Sequence, residues 1–293
     1  MKNRKVKSNR AQADYFELLV CQYICHLYKV TFSYSEDLAK LSNKILVLPD
    51  GKERLKLQND NFIKIQSKIK EILDYEISRK GKVVRVIWVG RNLLIETTSD
   101  VDAEHINKQK TRFSIKSIAN TGTGTLKNLG ARQIKNFLGI DFSRQYEEMW
   151  RKLRNYLSDH ETPQEKLKKK VQRNQKLLKW ATENGKKYQI ELNELCFNAF
   201  NSLSAKKKMD FLNFVTDCND DDLYVIIVNS VDVIIYKPIE KKLKIIKSIE
   251  ARKDKLTDVG YAIYIDGKPT YRVQTNYTNG IGISAYCQRI FWI

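Results

Sequence analysis

Residues 99–116 read SDVDAEHINKQKTRFSIK. Two β-prone runs, SDVDAEH (99–105) and RFSIKSI (112–118), flank the polar turn NKQKT (107–111), which is the pattern of a hairpin. Side chains two apart on a strand share a face, so Asp100 and Asp102 are expected to project together, and Ser114 with Lys116. Such a hairpin sets one or two carboxylates beside one ammonium. Phosphodiester hydrolysis uses that grouping: hard carboxylate oxygens hold Mg2+, the metal polarises a phosphate oxygen and acidifies a bound water, and the lysine stabilises developing charge. The plainer reading makes the aspartates solvated strand ends and lets Lys116 snorkel from an edge strand. Against it, Lys116 is flanked by Phe113, Ile115 and Ile118, and an ammonium inside an apolar strand needs a partner.

Upstream, residues 10–30, Ser35 to Leu46 and 60–80 carry apolar residues at helical spacing. KVVRVIWVG (82–90) and NLLIETT (92–98) read as strands around a turn at Gly90. Downstream, ANTGTGTLKNLGA (119–131) reads as a loop, and Arg132 to Leu138, Arg144 to Leu157, 164–184 and 189–215 as helices. The polar, Pro-containing stretch SDHETPQEKLKKK (158–170) is the expected boundary between a core, residues 1–158, and a second part, 159–293. The end of the chain, from LYVIIVN to GISAYCQRIF, alternates like a β-meander. The fold class expected is α/β: a mixed central sheet flanked by helices, then a helical and antiparallel β C-terminal half.

The 293 residues hold 53 Lys and Arg against 34 Asp and Glu, a formal charge of +19. An excess this one-sided attracts polyanions and makes nucleic acid the expected partner. No basic amphipathic helix or lipidation signal points to a membrane surface. No apolar run reaches the roughly 18 residues of a spanning helix, so no membrane partner is expected. Behind its basic start the N-terminus carries Asp14, Glu17 and Gln22, which no secretory core would. The five cysteines (21, 25, 196, 218, 287) lack CxxC spacing, so a reducing, cytoplasmic setting is expected rather than a disulfide or zinc scaffold.

The hairpin residues resemble the PD-(D/E)xK nuclease superfamily, and within it the type II restriction endonucleases. There an acidic residue on one strand of a hairpin is followed by (D/E)xK on the next. Ser99-Asp100 stands where the family has Pro-Asp, and Ser114-Ile115-Lys116 where it has (D/E)xK. The family's first helix often carries a Glu that reaches the metal, and Glu17 in ADYFELLVCQY matches that placement. The resemblance covers residues 10–140 or so. It implies a Mg2+-dependent enzyme cutting double-stranded DNA at a short site, in a bacterial or archaeal cytoplasm, with a cognate DNA methyltransferase as its functional companion. A palindromic target favours a homodimer. Carried over residue by residue, Asp100, Asp102, the Ile115 carbonyl and Glu17 would serve the metal, and Lys116 would orient the attacking water. Ser114 departs from the pattern by replacing the second acid, which Asp102, Glu17, Glu147 or Glu148 would have to supply.

Other signals compete or add. Gly90 followed by Asp100-Val101-Asp102 is similar to the GS…DhD signature of nucleotidyltransferases, although Arg91 stands where Ser belongs. A DNA-binding module without catalysis would keep the charge and ignore the metal. Gln274, Asn276, Asn279 and Arg289 are of the types that read adenine and guanine edges; the same stretch also reads as an ordinary hairpin turning at Asn279-Gly280. Thr123 and Lys127, in the Gly/Thr-rich stretch, either approach a DNA backbone or merely lie in a connection.

Overall fold

A computed structural model describes residues 8–89, 99–117, 125–229, 231–241, 246–254, 257–277 and 286–292. The chain forms two compact units, residues 1–124 with 217–242, and residues 125–216 with 243–293. The division expected at residue 158 is not where the units part. Residues 158–163 of that stretch bridge two helices of the second unit and the rest, from Gln164, lies inside the second of them, with Pro163 directly before it.

The first unit opens with three helices, α1 (Ser8–Tyr28), α2 (Ser35–Leu46) and α3 (Gly51–Lys80), then β1 (Val83–Trp88), β2 (Val101–His105) and β3 (Lys110–Ser117). The chain passes through the second unit's β4 (Thr125–Gly130), α4 (Ala131–Leu138), α5 (Ser143–Leu157), α6 (Gln164–Arg173), α7 (Gln175–Ser202) and α8 (Ala205–Val215). It returns to the first unit for β5 (Leu223–Val228) and β6 (Val233–Tyr236), and ends in the second with β7 (Ile249–Lys253), β8 (Gly260–Ile265), β9 (Lys268–Tyr277) and β10 (Tyr286–Trp292).

The first unit's sheet has the order β1-β2-β3-β5-β6, antiparallel except where β5 runs parallel to β3. All six residues of β5 are buried, as a strand covered on both faces must be, and its sequence is accordingly one unbroken apolar run, LYVIIV. Residues 223–236 thus leave the expected C-terminal meander. Phe16, Val20 and Ile24 of α1 and Ile65, Ile69 and Leu73 of α3 pack on Val86, Val101, Phe113 and Ile226 of the sheet. Their three- and four-residue spacing supplies one apolar stripe per helix.

In the second unit an antiparallel sheet of order β4-β10-β9-β8-β7 packs one face on helices. Tyr261, Ile263, Tyr271, Val273, Tyr286 and Ile290 interlock there with Tyr188, Leu192, Cys196 and Phe200 of α7. Asp266 and Gly267, with φ of 49° and 78°, form the two-residue turn between β8 and β9, in the left-handed conformation such hairpins require. TLKNLG, expected in a loop, is β4. It has little β-branched character of its own, and β10 supplies its hydrogen bonds from far along the chain. Among the described residues no helix is long and apolar enough to cross a membrane, and all five cysteines are buried and form no disulfide. The expected strand 92–98 and turn at Gly90 lie outside the described residues.

Candidate active site

The hairpin forms with Val101 opposite Phe113 and Glu104 opposite Lys110. One residue upstream the ladder changes character. The Asp100 N–H still donates to the Phe113 carbonyl at 2.7 Å, but the Ile115 N–H is taken at 2.7 Å by Oδ2 of the Asp100 side chain. The carboxylate replaces a backbone partner, so β2 and β3 part here. In an extended strand the N–H and C=O of one residue face the same neighbour, so the Ile115 carbonyl faces this opening too.

Asp100 also accepts a hydrogen bond from the Ser114 side chain and lies in the field of the Lys116 ammonium. Burial nevertheless outweighs these contacts and pushes its carboxyl above the usual aspartate range. From α1 comes Glu17, only 3 % exposed. Its Oε2 accepts the indole N–H of Trp88 at 2.7 Å. Burial first, and then the charge of Asp100, push the Glu17 carboxyl up to about 8, against the opposing pull of the Trp88 hydrogen bond and Arg10. Arg10 in turn pairs at 2.7 Å with fully buried Asp14, one turn along α1. A buried glutamate raised by the neighbouring charge of Asp100, with a lysine and an arginine beside the pair, forms a place where a cation would be welcome.

Asp102 has partners of its own. It is 1 % exposed, its Oδ1 receives the Ser99 hydroxyl at 2.6 Å, and its Oδ2 meets Lys110 Nζ at 3.1 Å. Asp100 sits at a bend before β2 begins, where the two-residue alternation of a strand does not yet apply, so alternation alone does not set its side chain beside that of Asp102. Glu147 and Glu148 belong to α5 of the other unit, where Glu148 pairs with Lys152.

Among the described residues no three His, Cys, Asp or Glu side chains converge as a metal centre. Among the described residues, the donors at the opening are two carboxylates and a backbone carbonyl. That set fits Mg2+, which keeps most of its waters and is commonly held by one or two carboxylates plus substrate phosphates.

Gln274 and Asn276 alternate with buried Val273 and Thr275, and Gln274 stands directly opposite Arg289 in the β9–β10 ladder, so the three share the half-buried outer face of the second unit's sheet. Lys127 is in β4 opposite Ile290; Thr123 and Asn279 lie outside the described residues. Sequence reasoning did not single out Trp88, Arg10 or Asp14. The signal available for Asp14 was its position three residues before Glu17 on an otherwise apolar helix face.

The Glu17 shift sets a pH dependence. In the metal-free protein Glu17 holds its proton until about pH 8, and a bound cation must displace it. Mg2+ affinity should rise up to about tenfold per pH unit below about 8 and then level off, with Glu17→Gln removing that dependence. Calorimetric titration in buffers of different ionisation heat would read the released proton. Because the native state binds the proton that the unfolded chain has shed, this group's contribution to stability falls as pH rises from 4.5 to about 8.

No family model matches this chain, and neither a curated protein nor a solved structure shows significant similarity to it.

Proposed function

We propose that the chain is a Mg2+-dependent endonuclease of the PD-(D/E)xK kind, hydrolysing double-stranded DNA at a specific site as type II restriction enzymes do. The observation that carries this reading is the parting of β2 and β3, where Asp100 caps the Ile115 N–H, Glu17 crowds Asp100, and Lys116 faces the same carboxylate. The net charge of +19 and the mixed sheet agree with it.

In this mechanism Asp100, Glu17 and the Ile115 carbonyl would hold the metal. A bound Mg2+ supplies charge neutralisation at the scissile phosphate and a water of lowered pKa. Lys116 orients the attacking water and stabilises the charge that builds on the phosphate oxygens. Ser114, the departure from the family pattern, hydrogen-bonds Asp100 and so orients the remaining acid. Trp88 and Arg10 position Glu17 and temper its repulsion with Asp100. The same reading includes a homodimer on a palindromic site, a cognate methyltransferase protecting host DNA, and a bacterial or archaeal cytoplasm.

The test is incubation of the purified chain with phage DNA in Mg2+ or in EDTA. Discrete fragments in Mg2+ alone are expected, and the sequences of their ends would give the site. A smear would remove the site specificity, and intact DNA in both lanes would remove the nuclease.

A further inference from the structure

The first unit has a cleft of about 570 Å3 along the edge of β1 with which no described strand pairs, walled on its far side by the segment that follows α1. Tyr28, Lys29, Ser33, Tyr34, Lys82 and Arg85 line it, and no carboxylate does. Lys29, Lys82 and Arg85 are exposed, and among the described residues none of the three forms an ion pair. Elsewhere in this unit, Lys40, Lys56, Lys68 and Lys70 each meet a carboxylate three or four residues away on their own helix. Arg85 even stands opposite Glu104 in the ladder without bonding to it. Three unneutralised cations with tyrosine and serine hydroxyls between them are the groups that bind sugar–phosphate backbones.

The cleft wall also joins the candidate active site. The Tyr34 hydroxyl accepts the Trp88 backbone N–H at 3.4 Å, and the two rings meet edge to face at 5.9 Å. Trp88 in turn holds Glu17 through its indole.

We propose that this cleft is a phosphate track: it binds the backbone of duplex DNA and leads one strand to Asp100 and Lys116. The proposal rests on the nuclease reading for the identity of the substrate and extends it by naming where the backbone lies. An edge strand can also carry cations simply to repel the edges of other sheets. In that case the charges would have no DNA to hold.

The experiment measures binding apart from cleavage. A short fluorescent duplex is titrated with the full-length chain in EDTA, by anisotropy, across a range of salt. Compared with wild type, K29Q/K82Q/R85Q is expected to lower affinity at least about tenfold and to reduce the slope of log affinity against log salt by about three, one per lost phosphate contact. A control triple, K166Q/K169Q/K176Q, removes the same charge from exposed positions on α6 and α7 and should change the slope much less. Arg85→Gln alone, expected to cost about one unit of slope, gives the same answer should the triple variant fold poorly. An unchanged slope, or equal losses in both triples, would overturn the track. Cleavage in Mg2+ is scored separately. A chain that binds through the cleft but never cuts loses the nuclease and keeps the track, whereas a nuclease indifferent to K29Q/K82Q/R85Q keeps the chemistry and loses the track.

Discussion

Replacing Asp100 or Lys116 is expected to slow DNA cleavage by on the order of a thousandfold while leaving most DNA affinity in place. The affinity survives because phosphate contacts come from many basic side chains, of which Lys116 is one among 53 Lys and Arg. The rate does not, because Asp100 is one of two carboxylates at the opening among the described residues and the Lys116 ammonium acts on it. Asp100 also has a structural duty, since it accepts the Ile115 N–H that β2 no longer reaches. Asp100→Asn separates the two roles: an amide oxygen still caps Ile115, but the charge that would hold a cation is gone. Equal losses in Asp100→Asn and Asp100→Ala, each with near-native melting, would assign the effect to charge. Retained cleavage in Asp100→Asn would contradict the proposed role. Lys116→Arg tests the other partner, because a guanidinium keeps the charge but cannot place it at the same point.

The second large effect is expected far from the chemistry. Glu76 of α3 is fully buried and receives the Tyr224 hydroxyl at 2.7 Å, Lys80 Nζ at 2.9 Å and Lys237 Nζ at 2.9 Å. Lys80, itself 5 % exposed, continues to Asp222 at 2.8 Å and to the Lys110 carbonyl at 2.7 Å. This network ties α3 to β3 and β5, the one parallel pairing in the unit. Glu76→Ala would leave the half-buried Lys237 without its carboxylate and the buried Lys80 with Asp222 alone, at a cost of about 3 kcal/mol. The first unit's melting should fall by on the order of 10 °C, read by calorimetry. Hydrogen bonds from Tyr224 and the two lysines overcome burial and hold the Glu76 carboxyl down at about 2 against an ordinary 4.5. Its stabilisation is therefore complete above about pH 4.5 and is lost as pH falls towards 2, so wild type and Glu76→Ala should converge in acid. A variant that melts within a degree or two of wild type at neutral pH would mean the lysines find other partners.

What could be read from the sequence was whatever local pattern dictates. Helix α2 spans Ser35 to Leu46 as its apolar spacing requires, and the hairpin at 99–117 follows from two β-prone runs around a polar turn. The placement of Glu17 on the first helix also emerged, since one charged residue amid ADYFELLV has few places to go. Long-range pairing did not emerge. LYVIIV resembles the start of a meander, yet its lack of alternation is the mark of a strand buried on both faces, and only its pairing with β3 shows which sheet claims it. β4 was hidden for the opposite reason: a weak sequence made into a strand by β10. Polar composition around residue 160 signals exposure, which a loop between two helices of one unit has as surely as a linker.

The central claim is that Glu17 and Asp100 act together to hold a divalent cation where β2 and β3 part. Crystals of the wild-type chain soaked in Mn2+ and measured at the manganese edge test it most directly. A single strong anomalous peak within about 2.2 Å of a carboxylate oxygen of each residue, absent in Asp100→Ala, is the result this account predicts. A site empty at saturating Mn2+, or a peak that persists in Asp100→Ala, would contradict it.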